Sequence, residues 1–236
     1  MDAPRKGPED RLTLPLLIFD LDGTLIDSSC DLAISTNAML RHLGRPEVDE
    51  KIVNSYVGDG AQVLVRRALG NGLSDSEFQT AYDFFIRHYR THSLENTRLY
   101  PGISEALEAL KHAGNTLAVL TNKPVKISRD ILAGLGVESI FVHVYGGDSF
   151  PAKKPDPVGI ETLMKETGSA RESTTMIGDT SVDIRTARAA GVRACGVLWG
   201  FKPESLNDPP ADVLASDARQ LPELLRLKQS EAAPDA

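Results

Sequence analysis

The chain is poor in sulfur and aromatics and has no long apolar run. Of its 236 residues only two are cysteine, Cys30 and Cys195. Two thiols so far apart in a chain of this size do not build a disulfide scaffold. Neither has a second Cys or a His at metal-ligand spacing, which argues against zinc. No stretch approaches the ~20 apolar residues that cross a bilayer, so no membrane partner is expected. Basic blocks are absent and the net charge is −7. Nucleic acid is therefore not an expected partner, because phosphate-backbone binding needs clustered Lys and Arg. The first residues, Met1 to Arg11, are polar and rich in proline and charge, and lack the apolar region of a signal peptide. The expectation is a flexible tail on a cytoplasmic protein.

What is present is the composition of an ordinary globular protein, long enough to bury a substantial core. The apolar run Leu14 to Phe19 reads as a buried strand and ends in Asp20-Leu21-Asp22-Gly23-Thr24-Leu25. Two carboxylates thus stand where a strand ends and a glycine lets the chain turn. A spacing of two along an extended segment points both side chains the same way. Like charges so close need a cation or a shared proton. Magnesium, which prefers oxygen ligands, is a natural partner.

After this strand the pattern is helical. Asp27-Ser28-Ser29 supplies capping residues for a helix that Gly44-Arg45-Pro46 ends. Val57-Gly58-Asp59-Gly60 interrupts the next helical stretch. Ala61 to Leu69 and a segment from Ser74-Asp75 to about Thr91 are further helices. From Tyr100-Pro101-Gly102 onward, helix and strand alternate. Strands are expected at 116–120, 141–145, 174–177, 193–198 and 212–214. Helices are expected at 103–113, 126–135, 157–167, 181–190 and 221–227. This alternation predicts an α/β fold, a Rossmann-like parallel sheet covered on both faces. The expected layout is a tail over 1–13, a core over 14–28 and 95–228, a helical insertion over 29–94 after the first strand, and a tail over 229–236.

In such a sheet the site lies outside the carboxyl ends of the strands. There the first strand delivers Asp20 and Asp22, and the second Thr121 and Asn122. The third leads to Gly146-Gly147-Asp148 and then Lys153 and Lys154. The fourth delivers Gly178-Asp179-Thr180, followed by Asp183. Taken singly, an Asp after a strand can be a turn former. Thr121 can be a helix cap, and Asp183 can serve a helix dipole. Asp27, Ser28, Asp148 and Asp156 read as turn or cap residues.

Taken together, these four strand ends resemble the motifs of the haloacid dehalogenase-like (HAD) hydrolase superfamily. The motifs stand here as Asp20-Leu-Asp22-Gly-Thr, Thr121-Asn122, Lys154-Pro155-Asp156-Pro157 and Gly178-Asp179-Thr-Ser-Val-Asp183. Leu99 to Gly102, Thr121 to Pro124, Gly146 to Asp148 and Ala187 to Gly191 are similar to the phosphoglycolate phosphatases in particular. The resemblance spans about Leu14 to Leu225.

It implies a Mg²⁺-dependent phosphatase acting on a small phosphorylated metabolite, with Asp20 as nucleophile through an aspartyl-phosphate. Asp22 would protonate the departing alkoxide and then take a proton from water. That role asks Asp22 to hold a proton near neutral pH, which nearby negative charge would favour. Asp20, the Asp22 carbonyl and Asp179 would hold Mg²⁺, with Asp183 acting behind them. Lys154 and Thr121 would meet the phosphoryl oxygens, together with backbone N–H groups near Gly23 and Asn122.

The insertion falls where the superfamily places a helical cap, and its glycine loop, with Gly58 and Gly60, resembles the cap loop that faces the core. A carboxylate on the substrate would need a donor, for which Arg66, Arg67 and Lys123 are candidates. A solvated helix face is the plainer reading of both arginines. Fold does not settle substrate. A β-phosphoglucomutase-like or other sugar or nucleotide phosphate enzyme stays open, and a receiver-type signalling domain is the non-enzymatic alternative. Asp22 argues against a haloacid dehalogenase. Lys51, the cap's lone lysine, lies before the glycine loop and makes a poor Schiff-base lysine for a phosphonoacetaldehyde hydrolase. Monomer and homodimer are equally compatible with the sequence.

Overall fold

A computed structural model describes residues 14–226. Both expected tails, and residue 227 of the expected last helix, lie outside the described residues. Six strands form one parallel sheet: β1 (Leu16–Phe19), β4 (Thr116–Leu120), β5 (His143–Tyr145), β6 (Thr174–Gly178), β7 (Arg193–Val197) and β8 (Val213–Ala215), in the order β5-β4-β1-β6-β7-β8. β1 is central, pairing Phe19 with Val119 on one side and with Ile177 on the other. The chain first builds outward from β1 through β4 to β5, then crosses to β6. The crevice at the C-terminal end of β1 is therefore the switch point where open α/β sheets place their ligands.

The sheet is buried on both faces, so β1 is apolar throughout rather than alternating. Leu17 and Phe19 face one core with Leu107 and Ile131. Leu16 and Ile18 face a second core with Ile160, Leu163 and Ile184. These helical residues come from α5 (Ile103–His112) and α6 (Val125–Gly134) on one face, and from α7 (Val158–Thr167) and α8 (Ser181–Ala190) on the other. A short α9 (Leu221–Leu224) closes the described chain. Each fully buried Leu or Ile contributes roughly 1.5–3 kcal/mol by area. Cys30 is partly buried, Cys195 is buried, and both are free.

Between the first and second sheet strands lie α1 (Ser29–His42), α2 (Glu50–Tyr56), α3 (Ala61–Leu69) and α4 (Asp75–His92). α4 opens on a capping box in which Ser74 and Glu77 exchange hydrogen bonds. None of these helices, nor any other among the described residues, is long and apolar enough to cross a membrane. The helical segment is entered and left through a two-stranded antiparallel ribbon. Its strands are β2 (Ile26–Asp27) and β3 (Arg98–Leu99), pairing Ile26 with Leu99 and Asp27 with Arg98. Sequence reading misses this ribbon, because two residues per strand leave no period to detect.

Asp31 fastens the ribbon's exit to α1. Its buried carboxylate accepts from the Asn96 N–H (3.0 Å), the Asn96 amide (2.8 Å), the Thr97 N–H (2.9 Å) and the Thr97 hydroxyl (2.8 Å). Burial would raise this carboxyl, but the Asn96 and Thr97 donors outweigh it and hold it below the usual carboxylate range. A depressed folded pKa means stability that is present above the unfolded pKa of about 3.9 and lost as pH falls through the folded one. Asp31→Asn is therefore expected to lower unfolding free energy at pH 7 by about 2–3 kcal/mol. Urea melts should show that deficit narrowing below about pH 4. A pH-independent deficit would refute the charge's part in it.

Candidate active site

The C-terminal ends of β1, β4 and β6 converge, as their parallel pairing requires. Lys154 arrives from the loop between β5 and α7. Its buried ammonium lies 2.7 Å from Asp20 Oδ1 and 2.6 Å from Asp183 Oδ1. The other Asp183 oxygen accepts from the Thr180 N–H (3.1 Å) and the Thr180 hydroxyl (2.8 Å), closing a capping box at the start of α8. Asp183 thus serves both the lysine and the helix. Asp179 accepts from the Phe201 N–H (2.8 Å) and from the Thr24 hydroxyl (3.3 Å). Gly23 makes this closeness possible. It has φ +84°, and a Cβ there would lie 2.3 Å from an Asp179 oxygen.

Charge does not balance inside this cluster. Oxygens of Asp20, Asp179 and Asp183 all lie within 4.8 Å of one another, and all three residues are buried. Burial pushes the Asp20 carboxyl up to about 6, with Lys154 opposing and Asp183 adding to the rise. Burial also raises Asp179 well above the carboxylate range, and Asp183 and Asp20 raise it further. Burial would lower the Lys154 ammonium, yet Asp183 and Asp20 raise it. Among the described residues Asp179 has two hydrogen-bond donors and no ion-pair partner. A buried, all-oxygen donor set with surplus negative charge fits a hard divalent cation.

Asp22 is placed differently. Its carboxylate accepts from Lys123 Nζ at 2.8 and 3.0 Å and from the Ser28 hydroxyl at 2.6 Å. The expectation of negative charge beside Asp22 is corrected here, since its nearest charge is an ammonium. The capping reading of Ser28 is also corrected, because its hydroxyl goes to Asp22 and makes no cap bond. Lys123 Nζ further donates to Tyr89 Oη of α4 at 2.7 Å. Burial would lower this ammonium, but Asp22 and Tyr89 raise it. The two aspartates of the opening motif therefore each hold their own lysine.

Asp20, Asp22, Thr121, Asn122 and Lys123 line a cavity of about 40 Å³, roofed by Gly58, Gly60, Leu64, Phe85 and Tyr89 of the helical segment. Its roof loop is gripped at three successive carbonyls. Lys202 Nζ donates to Val57 O (2.6 Å), Asn122 Nδ2 to Gly58 O (3.0 Å) and Lys153 Nζ to Asp59 O (2.6 Å). The Asn122 amide also donates to Lys154 O at 3.0 Å, so this side chain ties roof to floor. Arg66 and Arg67 do not line the cavity. Arg66 stacks 3.8 Å over the Phe78 ring, and Arg67 pairs with Asp59 at 2.8 Å.

Sequence reasoning missed the segment after β7. Trp199 Nε1 donates to Thr24 O (3.1 Å), Phe201 N–H to Asp179, and Lys202 to the roof loop. A Cβ at Gly200 would lie 2.2 Å from Asp179 Cβ. Reading the residues after β7 by the strand-end rule used for the other four strands would have found it. Lys202→Met removes one charge-assisted hydrogen bond from the roof. It is expected to raise KM on the order of 10-fold while changing kcat less; steady-state kinetics with an unchanged KM would contradict the roof's part in binding.

Fold and site together define an α/β enzyme with a carboxylate–lysine centre at the sheet's switch point. The chain belongs to the haloacid dehalogenase-like hydrolases, whose family model matches residues 17–197. It is 40% identical over 217 residues to a phosphoglycolate phosphatase of Vibrio vulnificus, covering 88% of this chain and 94% of that one. It is 38% identical over 228 residues to a phosphoglycolate phosphatase of Pseudomonas syringae pv. tomato, covering 93% and 83%. A crystal structure of a predicted phosphoglycolate phosphatase from Haemophilus somnus superposes with TM-score 0.85 at 33% identity, covering 92% of this chain and all of that one.

Proposed function

We propose that this phosphoric monoester hydrolase cleaves 2-phosphoglycolate with Mg²⁺, through a phosphoryl group carried on Asp20. The observation that carries the reading is the placement of Asp20. It is a buried carboxylate on the cavity wall at the end of the central strand, with Lys154 against one oxygen. The names of the relatives supply the substrate.

Asp20 attacks phosphorus and the P–O bond to the alcohol breaks. Asp22, whose carboxylate stands hydrogen-bonded to Lys123 and Ser28, takes up a proton as the anionic ester enters and gives it to the departing alkoxide. It then takes one from the water that attacks the aspartyl-phosphate, which releases inorganic phosphate and restores Asp20. Lys154 neutralises charge on the equatorial oxygens, the Thr121 hydroxyl donates to them, and Gly23 lets backbone N–H groups approach. Asp20, Asp179 and the Asp22 carbonyl would hold Mg²⁺, and Asp183 would steady Lys154 beside them. The metal, when bound, supplies positive charge to the transferring phosphoryl group. The helical segment over 29–94 acts as a cap, and its loop 57–60 excludes water from the reaction. Ranking kcat/KM over a panel of phosphate esters with Mg²⁺ tests the substrate. Phosphoglycolate should lead; a sugar-led or flat ranking would overturn the choice.

A further inference from the structure

Lys123 is the cation that lines the cavity, and it is not fully used. Lys123 Nζ carries three N–H donors. Both Asp22 oxygens are met from one side of the ammonium, and a second donor goes to Tyr89 Oη. The Tyr89 hydroxyl accepts that bond, and among the described residues its own proton has no acceptor. Burial holds the phenol's pKa up at about 12, so the proton is present. Two unspent donors therefore stand 2.7 Å apart on the wall of a cavity whose remaining roof is largely apolar. Both residues are nearly inaccessible, Lys123 at 6% and Tyr89 at 2% exposure. A buried N⁺–H beside a buried O–H is a site for a planar two-oxygen acceptor. The two arginines offer no rival, since both turn away from the cavity.

We propose that Lys123 and Tyr89 are the specificity pair that receives a carboxylate on the leaving group, one carboxylate oxygen on each. The proposal rests on the phosphatase reading above. It also links the cap to the core, since Tyr89 comes from α4 and Lys123 follows β4. Substrates with a carboxylate beside the ester carbon would join the two parts; a neutral alcohol would leave both donors unpaired in an apolar pocket, which disfavours it.

The test compares matched esters with and without the carboxylate: 2-phosphoglycolate against ethyl phosphate, and 2-phospholactate against isopropyl phosphate. Wild type should prefer the acid in at least one pair. Lys123→Gln and Lys123→Met should shrink that preference by about 30-fold or more, the loss of one or two charge-assisted bonds. Tyr89→Phe keeps the ion pair and the packing, and should raise KM for the acid about 10-fold more than for the neutral ester. It decides the matter should the Lys123 variants fail to fold. If both esters of a pair fall in parallel, Lys123 serves Asp22 alone and the proposal is overturned. A wild-type preference for phospholactate over phosphoglycolate, abolished by the same variants, would keep this proposal and sink the phosphoglycolate assignment. No preference for either acid would overturn both.

Discussion

Asp20→Asn is expected to abolish hydrolysis, lowering kcat on the order of 10⁵-fold, as removal of a nucleophile does. The fold should survive. Asparagine keeps the shape and an acceptor for Lys154, and the Lys154–Asp183 bond at 2.6 Å remains. Removing one charge from the crowded trio Asp20, Asp179 and Asp183 also relieves repulsion. Melting temperature should therefore hold or rise in EDTA. Loss of the proposed nucleophile is separable from loss of a proposed metal ligand. Asp179→Asn keeps Asp20 and should regain rate as Mg²⁺ is raised, whereas no Mg²⁺ concentration should restore Asp20→Asn. Equal rescue of both by metal would refute the nucleophile assignment.

Lys154→Met is the second large effect, because one ammonium bridges two buried carboxylates. Without it Asp20 and Asp183 face each other uncompensated. Breaking a buried pair from one side destabilises by about 3–5 kcal/mol. In kinetics the loss of the cation proposed to meet the phosphoryl oxygens should lower kcat/KM on the order of 10³-fold. The pH dependence has a definite sign. Asp20 is already pushed up to about 6 by burial, with Lys154 opposing the rise. Removing Lys154 raises it further, so the folded variant binds protons that the unfolded chain does not. Stability then rises as pH falls. In EDTA the deficit against wild type should shrink as pH is lowered from 8 toward 5. A deficit that widens over that range would contradict this electrostatic account.

Much of the frame was legible because it depends on local signals. β4 and α8 fall where periodicity places them, at 116–120 and 181–190. Asp20, Thr121, Lys154 and Asp179 could be grouped because parallel strands deliver their following residues to one edge. What stayed hidden depends on contacts between distant positions. Lys123 meets Asp22 across 101 positions, and no spacing rule announces such a pair. Ser28 carries the composition of a cap, yet a 2.6 Å bond to Asp22 uses its hydroxyl. Arg66 and Arg67 were candidates by charge alone, and an aromatic ring and Asp59 hold them elsewhere. Tyr89 looks like any aromatic on an amphipathic helix until Lys123 is seen beneath it. Its partner lies in the core, so only the folded arrangement of helical segment and sheet reveals the pair.

Whether Asp20 carries the phosphoryl group is tested by acid quenching of the enzyme during turnover of 2-phosphoglycolate with Mg²⁺, followed by peptide mass spectrometry. One added phosphoryl group is expected on the peptide holding Asp20, labile to hydroxylamine and missing from Asp20→Asn. A phosphoryl group on another residue, or full turnover by Asp20→Asn, would contradict it.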